Sequence, residues 1–313
     1  MFPLSLIKKL YRKNIRNRQQ AHFIRRKYGL NEKSYFTGSD DAFYNIVIAV
    51  IFKGEDAYLK EWIEFHLITG VEHFFMYDNG DTESSREILK SYIDNGLVTY
   101  IPFPEFPENI LRSSYGKKNF NKLSMQNLAM GDCVINYSKY FNWMVKIDID
   151  EFLYPLPPYE SLSDVFNLLD DKNVKGMSFR ASRFGPSGQL TGSGLPVIET
   201  YTKRCPEHDR NWKVAGKSSC IDKSMGYHTC HKYFYKFNPF KRELDDSVTS
   251  KYLHLNHYYI KSREEYLAKI QYHSTGHKAG KETSDKWPAA DMQANYDDEK
   301  LIFRFLDRLK ERL

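Results

Sequence analysis

Residues 45–52, NIVIAVIF, constrain the fold more than any other stretch. A strand with one wet face alternates apolar and polar side chains; this run does not, so it reads as a strand covered on both faces. The next segment, KGEDAYLKEWIEFHLITG, sets Leu59, Trp62, Ile63, His66 and Leu67 at helical spacing and ends on Gly70, a good helix stop. EHFFMY is a second strand, and DNGDTESS has the chemistry of a loop. A helix follows from about Ser84 to Asn95, with Ile88, Leu89, Tyr92 and Ile93 inward, and LVTYI is a third strand. This β-α-β-α-β order predicts a parallel sheet with helices on its faces.

Beyond a Pro-rich aromatic loop, a helix from about Lys122 to Tyr140 leads into a fourth strand, FNWMVKIDIDEFLYP. A helix near 161–170 and a strand near 175–181 continue the pattern, and RFGPSGQLTGSG is a Gly/Ser loop able to hinge. Farther on, KYLHLNHYYI reads as a strand, and KSREEYLAKI as a helix with Tyr266, Leu267 and Ile270 inward.

The formal charge of +6 is unevenly placed. Nine of the 46 Lys and Arg fall in residues 1–30, which hold no acid, so the remainder has 37 basic residues against 40 acidic ones. Phe2, Leu6, Ile7, Leu10, Tyr11 and Ile15 recur at helical spacing among those charges. The leader is either a basic amphipathic helix lying on an anionic membrane or a solvated helix packed on the body. No apolar stretch approaches the ~20 residues of a membrane span, and no secretory h-region follows the charges. The expectation is a cytoplasmic protein, peripheral on the inner face of the membrane, whose body offers nucleic acid no basic face. Cys205, Cys220 and Cys230 lie near His208, His228 and His231, but without a C-x-x-C pair they, like Cys133, read as free thiols more readily than as a zinc site.

The fourth strand ends on Asp148, Asp150 and Glu151. Strand alternation puts Asp148 and Asp150 on one face, roughly 7 Å apart, where they repel each other and are costly to bury unpaired. They are either salt-bridged surface acids or ligands of a divalent cation; hard oxygen ligands suit Mg2+ or Mn2+, which leave further positions to substrate phosphates. Their place at the carboxyl end of a sheet strand favours the cation, since open α/β sheets bind ligands there.

Several motifs then occur in a recognisable order. IVIAVIFKGEDAYLKEWIEFHLITGVEHFFMYDN followed by WMVKIDIDEFLYP, then FGPSG, Lys217-Ser218, Gly226-Tyr227-His228 and NHYYIKSREEYLAK, resembles the glycosyltransferase family 92 and family 2-like proteins of GT-A fold. Gly54 departs from that pattern, in which an Asn is usual. The resemblance covers roughly residues 45–275. It implies an α/β GT-A fold, a Rossmann-like, mostly parallel sheet with helices on both faces. A basic leader over 1–40, a catalytic domain over 41–275 and a helical tail over 276–313, part of a C-terminal α+β extension, complete the expected organisation.

The resemblance also implies transfer of a sugar, with inversion, from a nucleotide-sugar donor, UDP-linked, to a glycan or lipid-linked acceptor in surface polysaccharide or lipopolysaccharide synthesis. On matching positions, Glu55 and Asp78 contact the nucleoside, with an Asx-turn role the alternative for Asp78. Gln126 faces either the donor or solvent. Asp148 contacts ribose or a metal-bound water, Asp150 binds the metal, and His228 or His257 completes its coordination. Lys217 helps neutralise the leaving diphosphate. The general base is sought among Glu199, Glu207 and Asp209, Glu199 first. Two other readings are a phosphatase of the haloacid dehalogenase type, whose aspartate motif normally opens the domain, and a non-catalytic sugar-binding protein that kept the fold.

Overall fold

A computed structural model describes residues 36–39, 41–80, 82–104, 125–221, 243–244, 249–274 and 287–313. Residues 1–35 of the basic leader, His228 and Cys230 lie outside these residues. In chain order the elements are β1 (Tyr44–Phe52), α1 (Asp56–Thr69), β2 (His73–Asp78), α2 (Glu83–Asp94), β3 (Val98–Pro102), α3 (Met125–Tyr137), β4 (Phe141–Lys146) and β5 (Glu151–Pro155). Then come α4 (Leu162–Asp171), β6 (Gly176–Phe184), α5 (Val197–Thr200), β7 (Lys203–Lys217), β8 (Glu243–Leu244), β9 (Leu253–His257), α6 (Arg263–Ser274), α7 (Trp287–Ala294) and β10 (Asp297–Asp298). A 3-10 turn (Leu301–Phe305) runs into α8 (Leu306–Lys310).

The strands form one sheet in the order β3-β2-β1-β4-β7-β6-β9-β5, with β10 on β7 and β8 on β6. The first four are mutually parallel, and β7 enters antiparallel to β4. This is the Rossmann-like, mixed but largely parallel arrangement of a GT-A fold. From β1 the chain steps outward through β2 to β3 and then returns to the other side of β1 as β4, so the strand order switches between β1 and β4.

The apolar run in β1 is covered on both faces, as its lack of alternation requires. Ile46, Ile48, Val50 and Phe52 join Leu59, Trp62 and Phe65 of α1 in one core. Val47 and Ala49 join Met130, Cys133, Val134 and Tyr137 of α3 in the other. Gly70 closes α1 in the left-handed region, at φ 106°, where a Cβ would also press on Ser163 Oγ at 3.2 Å.

Three expectations are modified. The fourth strand is not continuous: β4 stops at Lys146, residues 147–150 turn, and β5 pairs with β9 instead. Glu151 closes that turn, its carboxylate accepting the Asp148 N–H at 2.9 Å and its own N–H donating to the Asp148 carbonyl at 3.0 Å. Leu267 is 43% exposed, because α6 buries Tyr266 against Ile260 and Trp287 on its other side. The C-terminal segment is no separate tail: Ile302, Phe305 and Leu309 enter the same core as α1, with Phe305 edge-on to Phe65 at 5.7 Å.

Buried polar bonds tie β5 to α1. Trp62 Nε1 donates to the Glu151 carbonyl at 2.8 Å. His66 takes the Leu153 N–H on Nε2 at 3.2 Å while its Nδ1 meets the Trp62 carbonyl at 2.8 Å, and burial pushes its pKa down to about 3. Both β1 and β5 therefore pack on α1, on either side of the turn at residues 147–150.

If the C-terminal segment is part of the core, Phe305→Ala costs about 3–5 kcal/mol in urea unfolding. A loss below about 0.5 kcal/mol, the usual surface value, would mean that it packs independently.

Candidate active site

The turn at 147–150 lies past the carboxyl end of β4, at the switch in strand order. Ile147 and Ile149 are buried in the core, at 0% and 1% exposure, which turns Asp148 and Asp150 the other way. Each acid then meets its own set of partners.

Asp148 is bonded by Lys213 Nζ on Oδ2 and by Gln126 Nε2 on Oδ1, the latter at 3.0 Å. The same Lys213 ammonium reaches Glu151 Oε2 at 2.8 Å, so one buried cation joins two carboxylates. Asp150 takes Lys269 Nζ on Oδ2 at 2.5 Å and faces His257 Nε2 across 3.4 Å from Oδ1. Its carbonyl accepts the Tyr258 N–H at 2.8 Å, so the segment after β9 is fastened to the turn. His257 Nδ1 lies 3.8 Å from Glu151 Oε1.

The charges set the protonation states. Burial alone would raise the pKa of Asp150, but Lys269, His257 and Lys261 outweigh it and hold the carboxyl well below its ordinary value. Asp148 follows the same pattern, with Lys213 overcoming both burial and the repulsion of Asp150. Glu151 goes the other way: burial and Asp148 raise it against the pull of Lys213. Glu55, the residue before α1, is pushed up to about 7 by burial and by Asp150, with Lys269 and Lys261 opposing.

The residues present fit a divalent cation. Asp150 Oδ1 and His257 Nε2 are 3.4 Å apart, near the ~3 Å between adjacent ligands of an octahedral ion bound at about 2.1 Å. The carboxylate suits Mn2+ or Mg2+, and the imidazole favours the transition metal of the two. Among the described residues no group of three or more His, Cys, Asp and Glu converges.

Of the residues singled out in the sequence, Glu55, Gln126, Asp148, Asp150 and His257 meet here. Others do not. Asp78 is 1% exposed, and its carboxylate accepts the Gly80 N–H at 2.8 Å, the Thr82 N–H at 3.3 Å and the Tyr100 hydroxyl at 2.8 Å. It shapes its own loop, the Asx-turn alternative. Glu199, on α5, is paired with Lys310 of α8 at 2.6 Å. Glu207 is exposed, and the side chain of Asp209 lies outside the described residues, although its backbone belongs to β7.

Lys217 corresponds to Trp143 near the start of β4 and pairs with Asp170 at 2.6 Å. Because β7 runs antiparallel, Lys213, four residues earlier, reaches the acids instead, roughly 14 Å along the strand. Lys213 and Lys269 escaped the sequence reading for this reason: neither has a local signal, and strand pairing and helix docking alone aim them at the turn.

The profile of Glycosyltransferase family 92 matches residues 45–299. A glycosyltransferase family 92 protein of Ricinus communis is 25% identical over 172 residues, which are 54% of this chain and 28% of that protein. The galactan beta-1,4-galactosyltransferase GALS2 of Arabidopsis thaliana is 28% identical over 171 residues, 50% of this chain and 30% of its own length. The matched segment thus spans less than a third of these curated relatives. Among solved structures, S. aureus TarS 1-349 in complex with UDP aligns over 74% of this chain and 64% of its own at 9% identity, with a TM-score of 0.35.

The site makes two predictions. Lys213→Met strands the buried Glu151 carboxylate beside the half-buried Asp148 and costs about 3–5 kcal/mol in chemical denaturation, whereas Lys217→Met, far from the acids, costs less than half of that; equal losses would remove Lys213 from its bridging place. For Glu55, the folded pKa of about 7 lies above the ordinary 4.5, so the folded state holds the proton more tightly and stability falls as pH rises from 4.5 to 7. Wild type should lose stability relative to Glu55→Gln across that window. A difference that does not vary with pH would show that Glu55 titrates normally.

Proposed function

The chain belongs to glycosyltransferase family 92, and on that footing we propose that it moves a sugar from a UDP-linked donor to a hydroxyl of a glycan or lipid-linked acceptor, with inversion. The observation that carries the reading is the convergence of Gln126, Asp148, Lys213 and Glu151 with Asp150, His257 and Lys269 at the switch point of the sheet. The order of strands also weakens the phosphatase alternative, since the aspartates follow the fourth strand of the chain and not its first.

In this reading Asp150 and His257 hold Mn2+ or Mg2+, with Asp148 beside them. When bound, the ion supplies Lewis-acid neutralisation of the diphosphate that leaves. The remaining roles belong to the chain. Asp148, its two oxygens oriented by Gln126 and Lys213 and its side chain 36% exposed, has acceptor capacity left for a ribose hydroxyl. Glu55, raised toward neutrality, both donates to and accepts from the nucleoside. Lys213 and Glu151 hold the turn rigid, so that the acids do not reorganise when charge develops.

The acceptor hydroxyl requires a general base. With Glu199 engaged by Lys310, Asp209 is the candidate we retain, its backbone lying on β7 past Lys213 and beyond the end of β4. The likeness to a galactan galactosyltransferase makes UDP-galactose the first donor to try.

The test is slow donor hydrolysis across a panel of UDP-sugars, with and without Mn2+. We expect Mn2+-dependent release of UDP from at least one donor, and a loss of at least about tenfold in Asp150→Asn. Failure of every donor, or an Asp150→Asn variant as active as wild type, would overturn the reading.

A further inference from the structure

One cation near the turn of acids has no carboxylate bonded to it. Lys261 is 6% exposed, and its ammonium rests on the face of Tyr58, 3.9 Å from the ring centroid. Among the described residues no carboxylate lies within ion-pair distance of it. Of the neighbouring acids, Asp150 is bonded by Lys269, and Glu265 by the hydroxyls of Tyr58 and Tyr201 and by Ser262, while Glu55 acts on Lys261 only from a distance. Burial and the charge of Lys269 push the pKa of Lys261 down, while Asp150, Glu55 and Glu265 pull it up from a distance.

An ammonium on a largely buried lysine, with no anion bonded to it, is held less favourably than in water, and a lysine kept only to cover Tyr58 need not be charged. Nor is this a wandering surface side chain. Its carbonyl accepts Trp287 Nε1 at 3.2 Å, and three residues upstream the Tyr258 N–H is bonded to the Asp150 carbonyl. The chain thus delivers Lys261 to the turn of acids, between the first turn of α1 and the start of α6.

We propose that Lys261 is the protein's own cation for the donor's diphosphate, meeting oxygens of the leaving phosphate beside Asp150. The assignment rests on the nucleotide-sugar reading above. As the acceptor oxygen bonds to the anomeric carbon, the bond from that carbon to the phosphate oxygen breaks and its electron pair stays on the diphosphate. The acceptor's proton goes to the general base. Lys261 neutralises the charge left behind, the part assigned from the sequence to Lys217, which lies at the wrong end of β4.

The experiment compares UDP with UMP by calorimetry in Mn2+, alongside the melting temperature of the nucleotide-free protein. For Lys261→Met we expect UDP binding weakened about tenfold or more, UMP binding changed by less than about twofold, and a melting temperature equal to wild type or higher. Lys261→Arg should retain more UDP affinity than Lys261→Met. A lower melting temperature with the UDP-to-UMP ratio unchanged would make Lys261 a structural partner of Tyr58 and overturn the proposal. So would equal losses for UDP and UMP, or failure of both Lys261→Met and Lys261→Gln to fold, because a cation kept for a ligand is dispensable to the fold. Should wild type bind none of UDP, GDP, CDP, ADP and TDP, the donor reading itself fails, an outcome distinct from a wild type that binds UDP through other residues.

Discussion

The site depends on one ammonium. Three carboxylates within four residues, at the end of a strand buried on both faces, would drive the chain apart or into water. Lys213 stops this by bonding Asp148 and Glu151 together. With their repulsion offset by that shared cation, Glu151 closes the turn through the Asp148 backbone, and Asp148 and Asp150 stay fixed on the side away from Ile147 and Ile149. Around this bridge the other cations are arranged: Lys269 and His257 on Asp150, and Lys261 farther out on Tyr58.

Such a site is charged almost to balance before any ligand arrives. That suits chemistry in which negative charge builds on a diphosphate, because the stabilising groups are already oriented and little reorganisation remains. It also explains why the acids hold different protons. Asp148 and Asp150 are each bonded by a lysine and stay ionised, whereas Glu55, buried, has no such bonded partner among the described residues and is raised toward neutrality.

The fold supplies rigidity from two sides. α1 is packed on β1 and also bonded to β5 through Trp62 and His66, and the C-terminal segment presses on α1 through Phe305. The elements that carry the site, the entry to α1, the turn after β4 and the segment after β9, are therefore fastened to one another. Glu61, also on α1, holds the start of α5 by accepting the Val197 and Ile198 N–H groups at 2.8 and 3.2 Å.

What the sequence determined by itself was local. The unbroken apolar run in β1 required cover on both faces, the helices α1 and α3 supplied it, and the order of elements required a parallel sheet. The acids at 148 and 150 were legible as a site because carboxylates seldom end such a strand without a reason. Tertiary structure decided what no local pattern encodes: that the strand breaks at Lys146, that β7 returns antiparallel and so presents Lys213 and not Lys217, that Asp78 turns back into its own loop, and that Glu199 is held by the C-terminal helix. The reason is physical. Periodicity records which face of an element is buried, a property of neighbours in the chain, whereas the partner of a buried charge is chosen by strand register and helix docking between residues as far apart as 148 and 213 or 150 and 269.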